Sequence, residues 1–169
     1  LNETDPEFYF YYFKSPLGRK MIESFSEQMA ASGIRSGDLA RVIVPILSKD
    51  EQHSISKIFS DLDSKIELNN QMNKAIEFTK RWLDIGANDV EHADHDGSAS
   101  PDRVYEYFSR LLDVVPKPEK HIVHLHSTRG WGLANVLAAL QAGMTNYEST
   151  LGVIGGQPAN FVSGVPVEC

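Results

Sequence analysis

Cysteine is almost absent: Cys169, the last residue, is the only one in 169 residues. A disulfide within one chain is excluded, and the pattern fits a reducing, cytoplasmic setting. A basic excess is missing too. Lys and Arg number 16 against 23 Asp and Glu, a formal net charge of −7. Residues 1–77 carry nine cationic and twelve anionic side chains, and residues 78–169 carry seven and eleven. Neither half therefore has the positive field of a stand-alone nucleic-acid binder. No apolar run approaches the roughly 20 residues that cross a bilayer, so no membrane partner is expected. No basic-then-apolar leader opens the chain, and its start at Leu1 rather than Met suggests sequence upstream. A hydrophobic content of 41% excludes global disorder.

Glycine and proline are missing over residues 51–85. That gap predicts one long helix, started by Ser48 or Asp50 and stopped by Gly86. At 1.5 Å per residue it would reach about 50 Å. Ile55, Phe59, Leu62, Ile66, Asn69, Asn73 and Ile76 step by four and three along it, a heptad seam with two asparagines suited to fixing register. Such a stripe predicts self-association through the 49–85 helix. Ahead of it, Asp5-Pro6 reads as an N-cap and first helical residue for the aromatic run Phe8 to Phe13, whose rings read as core. Ser15-Pro16 breaks that helix, and a second runs from about Leu17 to Ala30. Val42-Ile43-Val44, closed by Pro45, reads as a short strand.

Beyond Gly86 the pattern alternates. Val90 to Ala93 reads as a strand, and Ser100-Pro101 opens a helix to about Val115. His121 to His126 reads as a strand and Gly132 to about Ala142 as a helix. Tyr147 to Val153 reads as a strand. Alternating strands and helices predict α/β units around a parallel sheet. His124 and His126 sit two apart on one predicted strand. Their imidazoles share a face about 6–7 Å apart, a spacing that lets both reach one metal. His92, His95 and His121 read as surface residues, and Trp82 and Trp131 as packing residues.

Two resemblances emerge from these motifs. Ser32-Gly33-Ile34-Arg35, Asp38-Leu39, Val42-Ile43-Val44-Pro45, Glu51-Gln52 and Leu62-Asp63-Ser64-Lys65-Ile66 resemble the specificity subunit of type I restriction-modification systems. That resemblance covers about residues 5–76. It implies a non-catalytic DNA reader whose partners are DNA and the modification and restriction subunits. Which residues would touch DNA is left open.

His124-Leu125-His126, Gly132-Leu133-Ala134-Asn135, Ala138-Ala139-Leu140, Asp94-His95-Asp96-Gly97 and Gly155-Gly156-Gln157-Pro158 resemble the family of 3-hydroxy-3-methylglutaryl-CoA lyase, isopropylmalate synthase and the pyruvate carboxyltransferase domain. This covers about residues 75–169. It implies a (β/α)₈ TIM barrel, of which the chain would hold roughly the last three units. It implies a divalent metal, Mg²⁺ or Mn²⁺, that polarises an acyl-CoA or 2-oxo acid substrate for carbon–carbon cleavage or formation. By resemblance His124 and His126 are metal ligands, and Asp94 is a catalytic acid–base or polar group. Gly155, Gly156 and Gln157 form a loop over the substrate. The sequence departs from the family at Gln157, where cysteine is frequent, at Ser127, where aspartate is usual, and at Gly164-Val165, where a Gly-Asn pair supplies a ligand.

The expected organisation is a partial target-recognition domain at 1–48, a spacer helix at 49–85 and a partial metallolyase barrel at 86–169. The first barrel strand, which carries the family's metal-binding aspartate and catalytic arginine, has no counterpart here. The expectation is thus a composite chain, lyase-like and inactive alone; the alternatives are a DNA-binding specificity-subunit fragment and a fused or mis-assembled frame with no evolved activity.

Overall fold

The computed structural model describes residues 4–26, 37, 40–150, 161–162 and 165–166. The chain divides into two compact units, Leu1–Asn69 and Asn70–Cys169. The longest helix crosses that division.

In the first unit, α1 (Pro6–Lys14) and α2 (Pro16–Ser26) precede α3 (Lys49–Asp84). The expected cap is present: Asp5 Oδ1 accepts the amides of Glu7 and Phe8 at 2.9 and 3.4 Å. Phe8 is buried, but Phe10 is 53% exposed, so the aromatic run is only partly core. The predicted second helix is found as far as Ser26; its continuation to Ala30 lies outside the described residues. The predicted strand at Val42–Val44 does not form, and residues 42–48 have no regular structure. Tyrosine hydroxyls of α1 take the carbonyls instead. Tyr9 donates to Pro45 at 3.2 Å and Tyr12 to Ile43 at 3.3 Å.

Ser48 and Glu51 open α3 with a capping box. Glu51 Oε2 accepts the Ser48 amide at 2.9 Å, and Ser48 Oγ accepts the Glu51 amide at 3.3 Å. The heptad stripe stays largely exposed in the single chain. Phe59, Leu62 and Ile66 are exposed, while Gln52 and Ser56 are buried in the first unit and Met72, Ile76 and Thr79 in the second. Of the predicted seam, only Ile76 joins a hydrophobic core. The buried line near the start is chosen by polar bonds rather than by apolar pairing. Gln52 Oε1 accepts the Asp5 amide at 2.8 Å, and Ser56 Oγ donates to Asp5 Oδ2 at 2.9 Å. The helix ends with the Ala87 amide on the Trp82 carbonyl. Gly86 at φ +103° supplies the left-handed turn that this closure needs.

The second unit carries a parallel sheet of β1 (Val90–Asp94), β2 (His121–Leu125) and β3 (Asn146–Glu148), in that order. Helices α4 (Pro101–Val114) and α5 (Gly132–Gln141) connect them, and a short 3₁₀ turn at Pro118–Lys120 leads into β2. β3 stops at Glu148; Ser149 and Thr150, predicted as strand, have no regular structure, and the rest of the predicted strand to Val153 lies outside the described residues. Phe161–Val162 and Val165–Pro166 form a small antiparallel pair.

The register pairs Ala93 with His124 and His124 with Glu148. Strand side chains alternate, so His92, Val123 and Tyr147 share one face and Glu91, Ala93, His124 and Glu148 the other. The first face meets the helices. Val104, Phe108, Leu111, Ala138, Ala139, Val123, Met144 and Ile76 form the core there.

His92 and His121, expected at the surface, belong to this packed side. His121 is fully buried, and His92 packs edge-on against Tyr107 and Phe108. Their hydrogen bonds run in one direction. The Val115 carbonyl can only accept, so His121 Nε2–H donates to it at 3.3 Å. His121 Nδ1 then accepts from His92 Nε2–H at 3.2 Å. His92 Nδ1 accepts from the Tyr107 hydroxyl at 2.8 Å. Burial holds both imidazoles below the usual histidine range, which favours the neutral forms that this chain of bonds uses. Burial, helped by the neighbouring His121, pushes His92 down to about 4. Burial pushes Tyr107 up to about 12. Trp82 and Trp131, expected to pack, are 56% and 40% exposed.

Two outcomes follow from this packing. Leu111→Ala removes a fully buried side chain and should cost about 3 kcal/mol in urea unfolding; a loss under about 1 kcal/mol would contradict the core assignment. His92 has a lower pKa folded than unfolded, so the folded state resists protonation. Its stability contribution is complete above pH 6.5 and is lost as pH falls toward about 4, on the order of 2–3 kcal/mol. Urea midpoints from pH 7.5 to 4.5 should fall more steeply for the wild type than for His92→Phe; parallel curves would refute the buried neutral histidine.

Candidate functional site

The chemistry-bearing residues gather where β1 and β2 end. In parallel α/β sheets this carboxyl edge is where loops bring functional groups together. Asp94 is the last residue of β1. Its Oδ1 accepts the Ser98 amide at 3.2 Å and its Oδ2 the Ala99 amide at 3.1 Å. The carboxylate is thus clamped by the turn that follows it. Burial pushes the Asp94 carboxyl above the usual range, and the nearby Asp96 adds to the rise. Asp96 goes the other way, lowered first by the Ser98 side chain. Two neighbouring carboxyls with opposite shifts divide into one that holds a proton readily and one that stays charged.

Gly97 explains how this turn reaches β2. Its φ is +61°, and a Cβ there would lie 2.9 Å from Thr128 Oγ1. Only glycine allows the turn to seat against Thr128. Asn135 on α5 adds a second tie, donating from Nδ2 to the Ala99 carbonyl at 2.9 Å. The Asp94-His95-Asp96-Gly97 segment is held from both sides.

His124 and His126 come together as the sequence predicted, with ring centroids 5.0 Å apart. Their surroundings differ. His126 is buried, and its Nδ1 contacts the Asp94 backbone carbonyl. A carbonyl only accepts, so Nδ1 carries the proton and Nε2 keeps its lone pair. His124 lies on the face of the sheet opposite Val123, its side chain 19% exposed. Its Nδ1 lies 3.2 Å from Glu91 Oε1 and 4.0 Å from Glu148 Oε2. One ligand atom from each of Glu91, His124 and Glu148 lies within 4.8 Å of the others. One imidazole nitrogen and two carboxylates form a donor set suited to a divalent cation.

Glu91 and Glu148 are the site residues that sequence reasoning missed. The signal was available in the alternation of the strands: Glu91 shares the face of Ala93, and the register sets both Ala93 and Glu148 beside His124. His95 is exposed, as expected, with its ring 6.4 Å from that of His126. Gly155, Gly156 and Gln157 lie outside the described residues. No described helix is long and apolar enough to cross a membrane.

Comparison with known proteins gives a match for each part of the chain. The type I restriction modification DNA specificity domain matches residues 1–78. (R)-Citramalyl-CoA lyase of Chloroflexus aurantiacus is 41% identical over 76 residues, covering 45% of this chain and 24% of that protein. Mitochondrial hydroxymethylglutaryl-CoA lyase of Macaca fascicularis is 34% identical over 85 residues, covering 50% of this chain and 26% of that protein. The HMG-CoA lyase structure from Bacillus subtilis aligns with a TM-score of 0.52 at 29% identity, covering 57% of this chain and 32% of that one. The chain thus spans about a quarter of the length of these curated relatives. The three parallel strands with α4 and α5 correspond to part of a TIM barrel. The HMGL-like family model matches residues 40–162, most of the sequence, and the chain belongs to the HMGL-like family.

Proposed function

We propose that residues 86–169 form part of the metal-bearing wall of a carbon–carbon lyase acting on acyl-CoA or 2-oxo acid substrates. The family is divalent-metal-dependent. The observation that carries the reading is the corner where His124, His126 and Asp94 meet, with His126 Nδ1 on the Asp94 carbonyl and Nε2 left for a ligand. The relatives whose names specify CoA-thioester lyases support the substrate class. The single cysteine supports a cytoplasmic setting.

When bound, Mg²⁺ or Mn²⁺ supplies Lewis-acid polarisation of substrate oxygens. This chain's residues do the rest. His124 and His126 hold the ion at the carboxyl edge of β2. Asp94, held by two backbone amides and raised by burial, exchanges a proton with the substrate hydroxyl. A barrel needs eight parallel strands, and three pair in parallel among the described residues. Turnover therefore calls for strands from another chain or segment.

The metal reading is tested by titrating Mn²⁺ into the wild type and His124→Ala by calorimetry. The variant should bind at least tenfold more weakly; equal affinities would reject it.

The match over residues 1–78 supports a second reading of the first unit as a DNA-specificity segment that works with modification and restriction subunits. The exposed stripe of Phe59, Leu62 and Ile66 supports pairing of α3 with a second copy through its heptad positions. Duplex DNA binding should appear at low salt and fall steeply between about 50 and 200 mM; no binding at low salt would end the DNA reading.

A further inference from the structure

We propose that Glu91 and Glu148 are direct ligands of a divalent cation at His124, so that this chain builds its own three-donor site across β1, β2 and β3. The proposal rests on the metal-bearing reading above and adds two ligands that the histidine pair does not supply.

The register creates the arrangement. Glu148 lies directly opposite His124 on β3. Ala93 lies opposite it on β1, and Glu91 is the preceding residue on the same face. At the level of His124, Ala93 offers only a methyl group, and the longer Glu91 side chain reaches into that space. The Glu91 and Glu148 carboxylates converge on one nitrogen from opposite sides, at 3.2 and 4.0 Å. Two like charges drawn to one point repel each other, and a dication between them reverses the sign of that interaction.

The distances have the scale of a coordination sphere. With bonds near 2.1 Å, ligand atoms lie about 3.0–3.4 Å apart along an octahedral or tetrahedral edge and about 4.2 Å apart across an octahedron. The two nitrogen–oxygen separations fall close to that range before any ion is present. Imidazole with two carboxylates suits Mn²⁺ or Zn²⁺ better than a soft metal. His126 keeps its Nδ1 on the Asp94 carbonyl, so only its Nε2 remains to approach the same ion. The side chains of Glu91 and Glu148 are 46% and 55% exposed, which leaves the outer side open for water or substrate oxygen.

The test is Mn²⁺ binding followed by loss of the free-ion EPR signal, on the full chain. Glu91→Gln and Glu148→Gln keep size and remove the anionic donor. Each should weaken Mn²⁺ binding at least tenfold, with one ion bound per wild-type chain. Glu119→Gln removes an equal charge outside the cluster and should leave affinity unchanged. Thermal unfolding without metal should be the same for all four proteins, which separates ligand loss from misfolding. Wild-type affinity in both cluster variants, with loss only on His124→Ala, would overturn the carboxylate ligands and leave the metal-bearing reading intact. Equal weakening by Glu119→Gln would reduce the effect to net charge and overturn the site. No Mn²⁺ binding by the wild type would overturn both.

Discussion

The parallel register of the three central strands is the constraint on which the rest depends. Side chains alternate along a strand, so a slip by one residue would exchange the two faces of β2. In the observed register Val123 enters the core and His124 lies on the opposite face beside Glu91 and Glu148. The apolar contacts of Phe108, Leu111, Ala138 and Ala139 against Val123 hold that register from behind. Packing on one face thus fixes donor geometry on the other.

The histidines of this unit divide by face. His92 and His121 are neutral links in a one-way hydrogen-bond chain from Tyr107 to the Val115 carbonyl. They satisfy each other inside a helix–sheet interface, where an imidazolium would be costly. His124 and His126 stand at the carboxyl edge, next to carboxylates and a backbone carbonyl. The same residue type serves structure on one side and ligand chemistry on the other. Environment, rather than identity, makes the difference.

Much of this was legible in the sequence. The helix and strand order after Gly86 followed from period and breakers, and the His-x-His spacing correctly placed two imidazoles together. Asp5-Pro6 marked the start of α1. What stayed hidden depended on contacts distant in sequence. Glu91 and Glu148 are 57 residues apart and become neighbours of His124 only through pairing. The burial of His92 and His121 required knowing that α4 would bring Tyr107 over β1. Val42–Val44 has strand propensity, but the tyrosines of α1 capture the carbonyls of Ile43 and Pro45. The heptad pattern of α3 was visible and its stripe stays exposed; the bonds from Asp5 to Gln52 and Ser56 were not visible. Propensity and periodicity propose a face, and tertiary bonds choose it.

Cross-strand NOEs in an isotope-labelled sample test the register most directly. The account predicts contacts linking the backbone of Ala93 to that of His124, and of His124 to that of Glu148. A pattern displaced by one residue would turn His124 toward the helices and contradict it.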